Sequence, residues 1–252
     1  MAEHRQPVMI GTAGWSVPAG VGAAFPVEGS HLLRYAARFP AVEINTSFYR
    51  PHRPATYARW ANSVPEHFRF AVKLPRAVTH AGRLIAPEAP LERFLDETAA
   101  LGARRGPLLV QLPPSLGFDP GVAAAFLRAL RARFAGQVAC EPRHASWFAP
   151  SAEALLAEFE VARVAADPAV VPAAAHPGGW PGFTYRRLHG SPDIYRSPYP
   201  QPFLAHVAER IAGREGPAWC ILDNTATGAA AGDALALLAM CEAGQPMKAA
   251  AT

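Results

Sequence analysis

Eight short apolar runs, separated by longer stretches of helical period, constrain this chain more than any other feature. They are VMIGTA (8–13), AVEIN (41–45), RFAVKLP (69–75), PLLVQLP (107–113), QVACEPRH (137–144), ARVAAD (162–167), FTYRRLHG (183–190) and AWCILDN (218–224). Amphipathic patterns such as HLLRYAARF (31–39), PLERFLDETAALG (90–102) and PGVAAAFLRALRARF (120–134) fill most of the gaps. Only PAVVPAAAHPGGWPG (168–182) is too rich in Pro and Gly for a helix. Strands alternating with helices imply parallel pairing. Eight such units in 252 residues predict an α/β fold, a TIM-like parallel eight-stranded (β/α)8 barrel, with the helix after the sixth strand replaced by a loop. A doubly wound open sheet is the rival, but GTAGWS after the first run does not match its Gly-rich phosphate loop. We expect one domain over 1–252, with frayed ends at 1–6 and about 244–252.

Half of the residues are hydrophobic and 17% are charged, so a large core is within reach. The net charge of +4 permits contact with phosphates or nucleic acid, yet the basic residues are scattered among acids and form no run. Cys140, Cys220 and Cys241 are odd in number, lie in apolar contexts and have no metal spacing. They read as reduced core residues of a cytoplasmic protein. No stretch approaches the roughly 20 apolar residues of a membrane span, and the expected state is a monomer or weak dimer.

Successive strand side chains face opposite sides, which sorts the polar residues. In the second run Glu43 and Asn45 oppose Val42 and Ile44, in the third Lys73 opposes Val72 and Leu74, and in the fourth Gln111 opposes Val110 and Leu112. The fifth sets Glu141 and Arg143 against Val138 and Cys140. The sixth sets Asp167 against Val164 and Ala166, and the seventh sets Tyr185, Arg187 and His189 against Leu188. In the eighth, Asp223 or Asn224 is the inward residue. The polar positions thus share one parity near the C-terminal ends of the strands, where barrel enzymes place their chemistry.

GTAGWS, YAARFPAVEINTSFYR, FRFAVKLPRAVTH, LLVQLPPSL, CEPRHASWF, YRRLHG with YRSPY, and LDNTATGAAAGDALAL resemble, in that order, the signature blocks of the YecE-like family, domain of unknown function 72. The resemblance implies a TIM-barrel fold and supplies no activity. The chain departs from the family pattern at Leu222-Asp223-Asn224, where Phe-Asn-Asn is usual, and at Pro142, where Phe is usual.

The leading reading is an enzyme that acts on an anionic, phosphate- or sugar-phosphate-like substrate by acid/base chemistry without metal or cofactor. Lys73, Arg143 and Arg187 would hold the anion. Glu141 or Asp167 would be the base and His189 an acid or base. Asn45, Gln111 and Asn224 would orient hydroxyls, and Glu43 and His80 complete the binding set. One alternative is a metal-dependent isomerase or nuclease-like barrel using Glu141, Asp167, His189 and Asp223, although Arg143 and Arg187 would repel the cation. Another is a noncatalytic protein binding nucleic acid or a metabolite. A third treats the charges as a structural ion network plugging the strand ends.

Overall fold

The computed structural model describes residues 8–213 and 216–243. The ends expected to fray, 1–6 and 244–252, lie outside the described residues. Each of the eight runs forms strand: β1 (Val8–Thr12), β2 (Ala41–Ile44), β3 (Arg69–Lys73), β4 (Arg105–Gln111), β5 (Val138–Glu141), β6 (Val161–Arg163) with β7 (Ala165–Asp167), β9 (Thr184–Leu188) and β10 (Ala218–Leu222). Helices follow in alternation: α1 (His31–Ala36), α2 (Pro54–Asn62), α3 (Glu88–Ala99), α4 (Pro120–Arg131), α5 (Pro150–Glu158), α6 (Gln201–Ala212) and α7 (Ala229–Ala243). Local chemistry sets the starts. The Ser30 and Asp119 side chains accept the Leu33 and Val122 N–H groups, and Pro54, Pro120 and Pro150 open their helices with φ already fixed.

The connection after β7 holds no α-helix, as expected. It makes a short 3-10 turn at Pro172–Ala175 and the two-residue strand β8 (Gly178–Gly179), which pairs antiparallel with β6. Glu153 on α5 replaces the missing helix as an anchor, since it pairs with Arg163 and accepts the Gly179 N–H at 2.5 Å. Gly179 has φ +63, and a Cβ there would stand 2.5 Å from the Val161 carbonyl, so only glycine fits.

Ladder hydrogen bonds divide the strands between a six-stranded sheet, β2-β3-β4-β5-β6-β8, and a four-stranded sheet, β1-β10-β9-β7, in place of the single closed ring that was expected. Every pair except β6–β8 is parallel. Two local features divide them. Between β1 and β2 the Tyr35 hydroxyl accepts the Thr12 N–H at 2.8 Å and donates to the Ala41 carbonyl at 3.1 Å, so a phenol stands where a ladder bond would run. A bridge between Ala13 and Glu43 is the remaining link. On the other side the sixth strand breaks at Val164, and its first half pairs with β5 while its second pairs with β9.

The helix-facing core contains Val42, Ile44, Val72, Leu74, Val110, Leu112, Val138, Cys140 and Leu188, as parity predicted. The opposite face is lined by small residues, Ala41, Ala71, Ala139 and Ala162, which leave room for Tyr185 and Trp219 to stack with ring centroids 6.0 Å apart. Two residues further along their strands stand Glu43, Lys73, Glu141 and Arg187, and Asp223 stands two past the inward Ile221, so the polar layer lies directly past an apolar one. Val164 also belongs to this inner face, which reverses the expected parity of the sixth strand. The three cysteines are buried and unbridged. Among the described residues no helix is long and apolar enough to cross a membrane.

Candidate functional site

Arg187, at the end of β9, is the centre of the polar layer and is completely buried. Its Nε and Nη2 donate to the two oxygens of Glu43 at 3.1 and 2.7 Å, Nη1 donates to Glu141 at 2.7 Å, and Nη2 also donates to Asp223 at 3.0 Å. One guanidinium therefore gathers the carboxylates of β2, β5 and the end of β10. Tyr185 donates its hydroxyl to Glu43 at 2.8 Å, and Gln111 completes Glu141 at 3.4 Å. Arg187 was expected to hold a substrate anion. With its donors on three protein carboxylates and no exposed surface, it holds the cluster together instead.

The accessible side of the layer differs. Arg143, with 19% of its side chain exposed, donates to Glu141 Oε1 from Nε and Nη2 at 3.2 and 3.0 Å and to the Tyr195 hydroxyl at 3.3 Å. His189 is clamped between two carboxylates, with Nε2 2.8 Å from Glu141 and Nδ1 3.1 Å from Asp223. Tyr195, 40% exposed and at φ +69, sets its ring edge-on to His189 at 5.7 Å. A left-handed tyrosine is costly, and such strain is characteristic of functional loops. Burial alone would raise the Glu141 carboxyl, but Arg187, His189 and Arg143 hold it well below the usual carboxylate range. Asp223 is held below its ordinary value against the same burial effect by Arg187 and His189.

Lys73 ends β3 with 5% exposure, and its ammonium lies 4.2 Å from the centre of the Phe48 ring. Burial first, then Arg187, lower it to about 8 against the pull of Glu43, Glu141 and Asp223. His80 is half-buried nearby, bonded to Thr79 and edge-on to Phe48. Burial lowers its pKa, and Lys73, Arg76 and Arg143 lower it further. The Oδ1 of Asn45 is buried without a hydrogen-bond partner among the described residues.

Two predicted residues do not join. Asp167 accepts the Tyr199 hydroxyl at 2.8 Å, on the opposite face from the cluster. Asn224 donates to Asp233 and to the Ser197 carbonyl at 2.7 and 2.9 Å, because Leu222 packs outward and puts Asp223 inward. The metal cage of the alternative reading thereby loses Asp167, and among the described residues no three His, Cys, Asp or Glu side chains are grouped to hold a metal. Sequence reasoning gave no part to Phe48, the seat of Lys73. It assigned Tyr185 only a parity, and that inward parity was the signal for its bond to Glu43.

A family model described as "Protein of unknown function DUF72" matches residues 9–252. The UPF0759 protein YecE of Escherichia coli (strain K12) is 31% identical over 149 residues, 58% of this chain and 52% of that protein. The UPF0759 protein YunF of Bacillus subtilis (strain 168) is 29% identical over 152 residues, 57% of this chain and 53% of its own length. The chain thus spans about half the length of these curated relatives. A DUF72 family protein from Enterococcus faecalis V583 superimposes with a TM-score of 0.78 at 22% identity, covering 94% of this chain and 96% of that one. A DUF72 family protein from Thermotoga maritima MSB8 does so with a TM-score of 0.76 at 25% identity, covering 93% and 99%.

Proposed function

The chain belongs to the DUF72 family, whose function is unassigned, and from its own geometry we propose that it is an enzyme for a small anionic substrate, phosphate- or sugar-phosphate-like, working by metal-independent acid/base chemistry. In this reading its two sheets are arcs of one (β/α)8 barrel domain, joined at the Ala13–Glu43 bridge and through the sixth strand that both sheets share. The protein is a cytoplasmic monomer or weak dimer.

The observation that carries the reading is the contrast inside the cluster. Arg187 and three carboxylates satisfy one another, whereas among the described residues no hydrogen bond reaches the Lys73 ammonium or the Asn45 Oδ1. A structural plug would pair its charges, because a buried charge without a partner is destabilising. Lys73 and Arg143 supply the anion contacts in this reading. Glu141, ionised and hydrogen-bonded to His189, is the base, and His189 transfers the proton. Asp223 orients the imidazole, as a carboxylate behind a histidine does in other acid/base sites. Exposed apolar side chains also concentrate here: Val27, Tyr49, Ile85, Val170, Ile194 and Tyr195 all lie in connections that follow the C-terminal ends of strands. Beside Phe48, Arg50 and Arg76 border a cleft of about 160 Å³, on whose rim Arg93 is already paired with Glu97 at 2.8 Å, and the two guanidiniums unpaired among the described residues favour an anionic extension of the substrate.

Calorimetric titration with inorganic phosphate and a panel of sugar phosphates tests this. We expect binding to the wild type, weakened roughly tenfold or more in Arg143→Ala because a charge-assisted hydrogen bond is lost. No binding of any of these anions to the wild type would overturn the reading.

A further inference from the structure

Of the 24 lysines and arginines in the chain, only Lys73 and Lys248 are lysines. Among the described residues the other buried lysine or arginine positions, Arg163, Arg186 and Arg187, are all arginines. If position 73 served only to hold an anion, a guanidinium would do so with better bidentate geometry. Arginine does not give up its proton inside a protein, however, and lysine does. Residue 73 is thus a place where a chain that otherwise uses arginine has kept an amine.

The surroundings fit that purpose. Among the described residues no hydrogen bond or ion pair reaches Lys73 Nζ, whose contact is the Phe48 ring face at 4.2 Å. The three nearby carboxylates are already engaged by Arg187. The backbone under the lysine is fixed, since the Ser47 hydroxyl donates to the Lys73 carbonyl at 2.7 Å and Lys73 is in register with Leu109 of β4. With its pKa lowered to about 8, a useful fraction of the side chain is neutral amine near neutral pH.

We propose that Lys73 is a nucleophile that forms an imine with an aldehyde or ketone carbonyl of the substrate. This rests on the reading above and narrows its substrate class to carbonyl compounds bearing an anionic group. The Nζ lone pair forms a bond to the carbonyl carbon as the C–O π bond breaks, and the nitrogen gives up a proton while the oxygen gains one. The carbinolamine then loses its hydroxyl, protonated by His189, as water, and the nitrogen lone pair forms the C=N bond. The protonated imine draws electrons from the neighbouring carbon and so eases cleavage of a bond there.

The test is reductive trapping. Wild-type protein is incubated separately with dihydroxyacetone phosphate and with pyruvate, treated with sodium borohydride, and analysed by intact mass and peptide mapping. A secondary-amine adduct on Lys73 with at least one probe, and none on Lys248, is expected. Folded Lys73→Arg and Lys73→Met should give no adduct. Labelling of Lys248 alone or equally with Lys73, or no labelling at all, overturns the proposal. If phosphate still binds the wild type in that event, the anion-enzyme reading stands by itself, and if phosphate does not bind, both fail.

Discussion

Arg187 and Arg143 lie in one cluster and should respond to substitution in opposite ways. Removing the Arg187 head group leaves Glu43, Glu141 and Asp223 buried without their shared cation. Arg187→Met should cost at least about 3–5 kcal/mol of unfolding free energy, or prevent folding. Glu141 keeps Arg187 and His189 when Arg143 is lost, and the vacated volume is open to water. Arg143→Ala should therefore cost only about 1 kcal/mol. Urea unfolding of the two variants checks this, and equal losses would contradict it. Alternation along the strands was enough to bring Glu43, Lys73, Gln111, Glu141, Arg143, Arg187 and His189 together from sequence. It could not separate the two arginines, because parity reports which face a side chain takes and not how deeply that face is covered. Asp223 and Asn224 were ambiguous for a related reason, since they follow the last ladder pair of β10, Leu222 with Leu188 and Thr12.

Among the elements, the sixth strand was misread and the first two pair less than expected. Val164 and Ala166 were taken as the helix-facing set of its run, so Asp167, on the other parity and at the strand end, was assigned inward. Arg163, four residues earlier and on the same parity, pairs outward with Glu153 on α5, and that shared parity was the overlooked signal. The β1–β2 seam depends on a residue outside either strand, which no strand pattern reveals. Gly11 lets β2 come close, because a Cβ there would stand 2.0 Å from the Ala41 carbonyl oxygen. Tyr35 then spans the gap through Thr12 and Ala41. Tyr35→Phe keeps the ring but leaves the buried Thr12 N–H unpaired, so it should lower stability by about 1–3 kcal/mol. Thermal or urea denaturation measures this, and an unchanged midpoint would show that the hydroxyl does not join the strands.

For the molecule as a whole, strand count, helix order and the helix-free connection after β7 were legible because hydrophobic period is a strong signal over many residues. The sheet seams, set by single side chains, were not. The central claim is that the strand ends hold a site and not a plug, and Lys73 decides between them. Its folded pKa of about 8 lies below the ordinary 10.5, so the charged lysine opposes folding below about pH 8. That cost is relieved as pH rises from about 8 to 10.5, where the unfolded chain still binds the proton and the folded one does not. The buried cysteines are raised and act oppositely in this range, but they are common to wild type and variant and cancel in a difference. The most direct measurement is the urea-unfolding free energy of Lys73→Met minus that of the wild type, followed from pH 7 to 10.5. We expect the variant to be more stable at pH 7, by up to about 3 kcal/mol, with the advantage fading across the window. A variant less stable than the wild type at pH 7 would mean that Lys73 strengthens a plug, and would contradict the account.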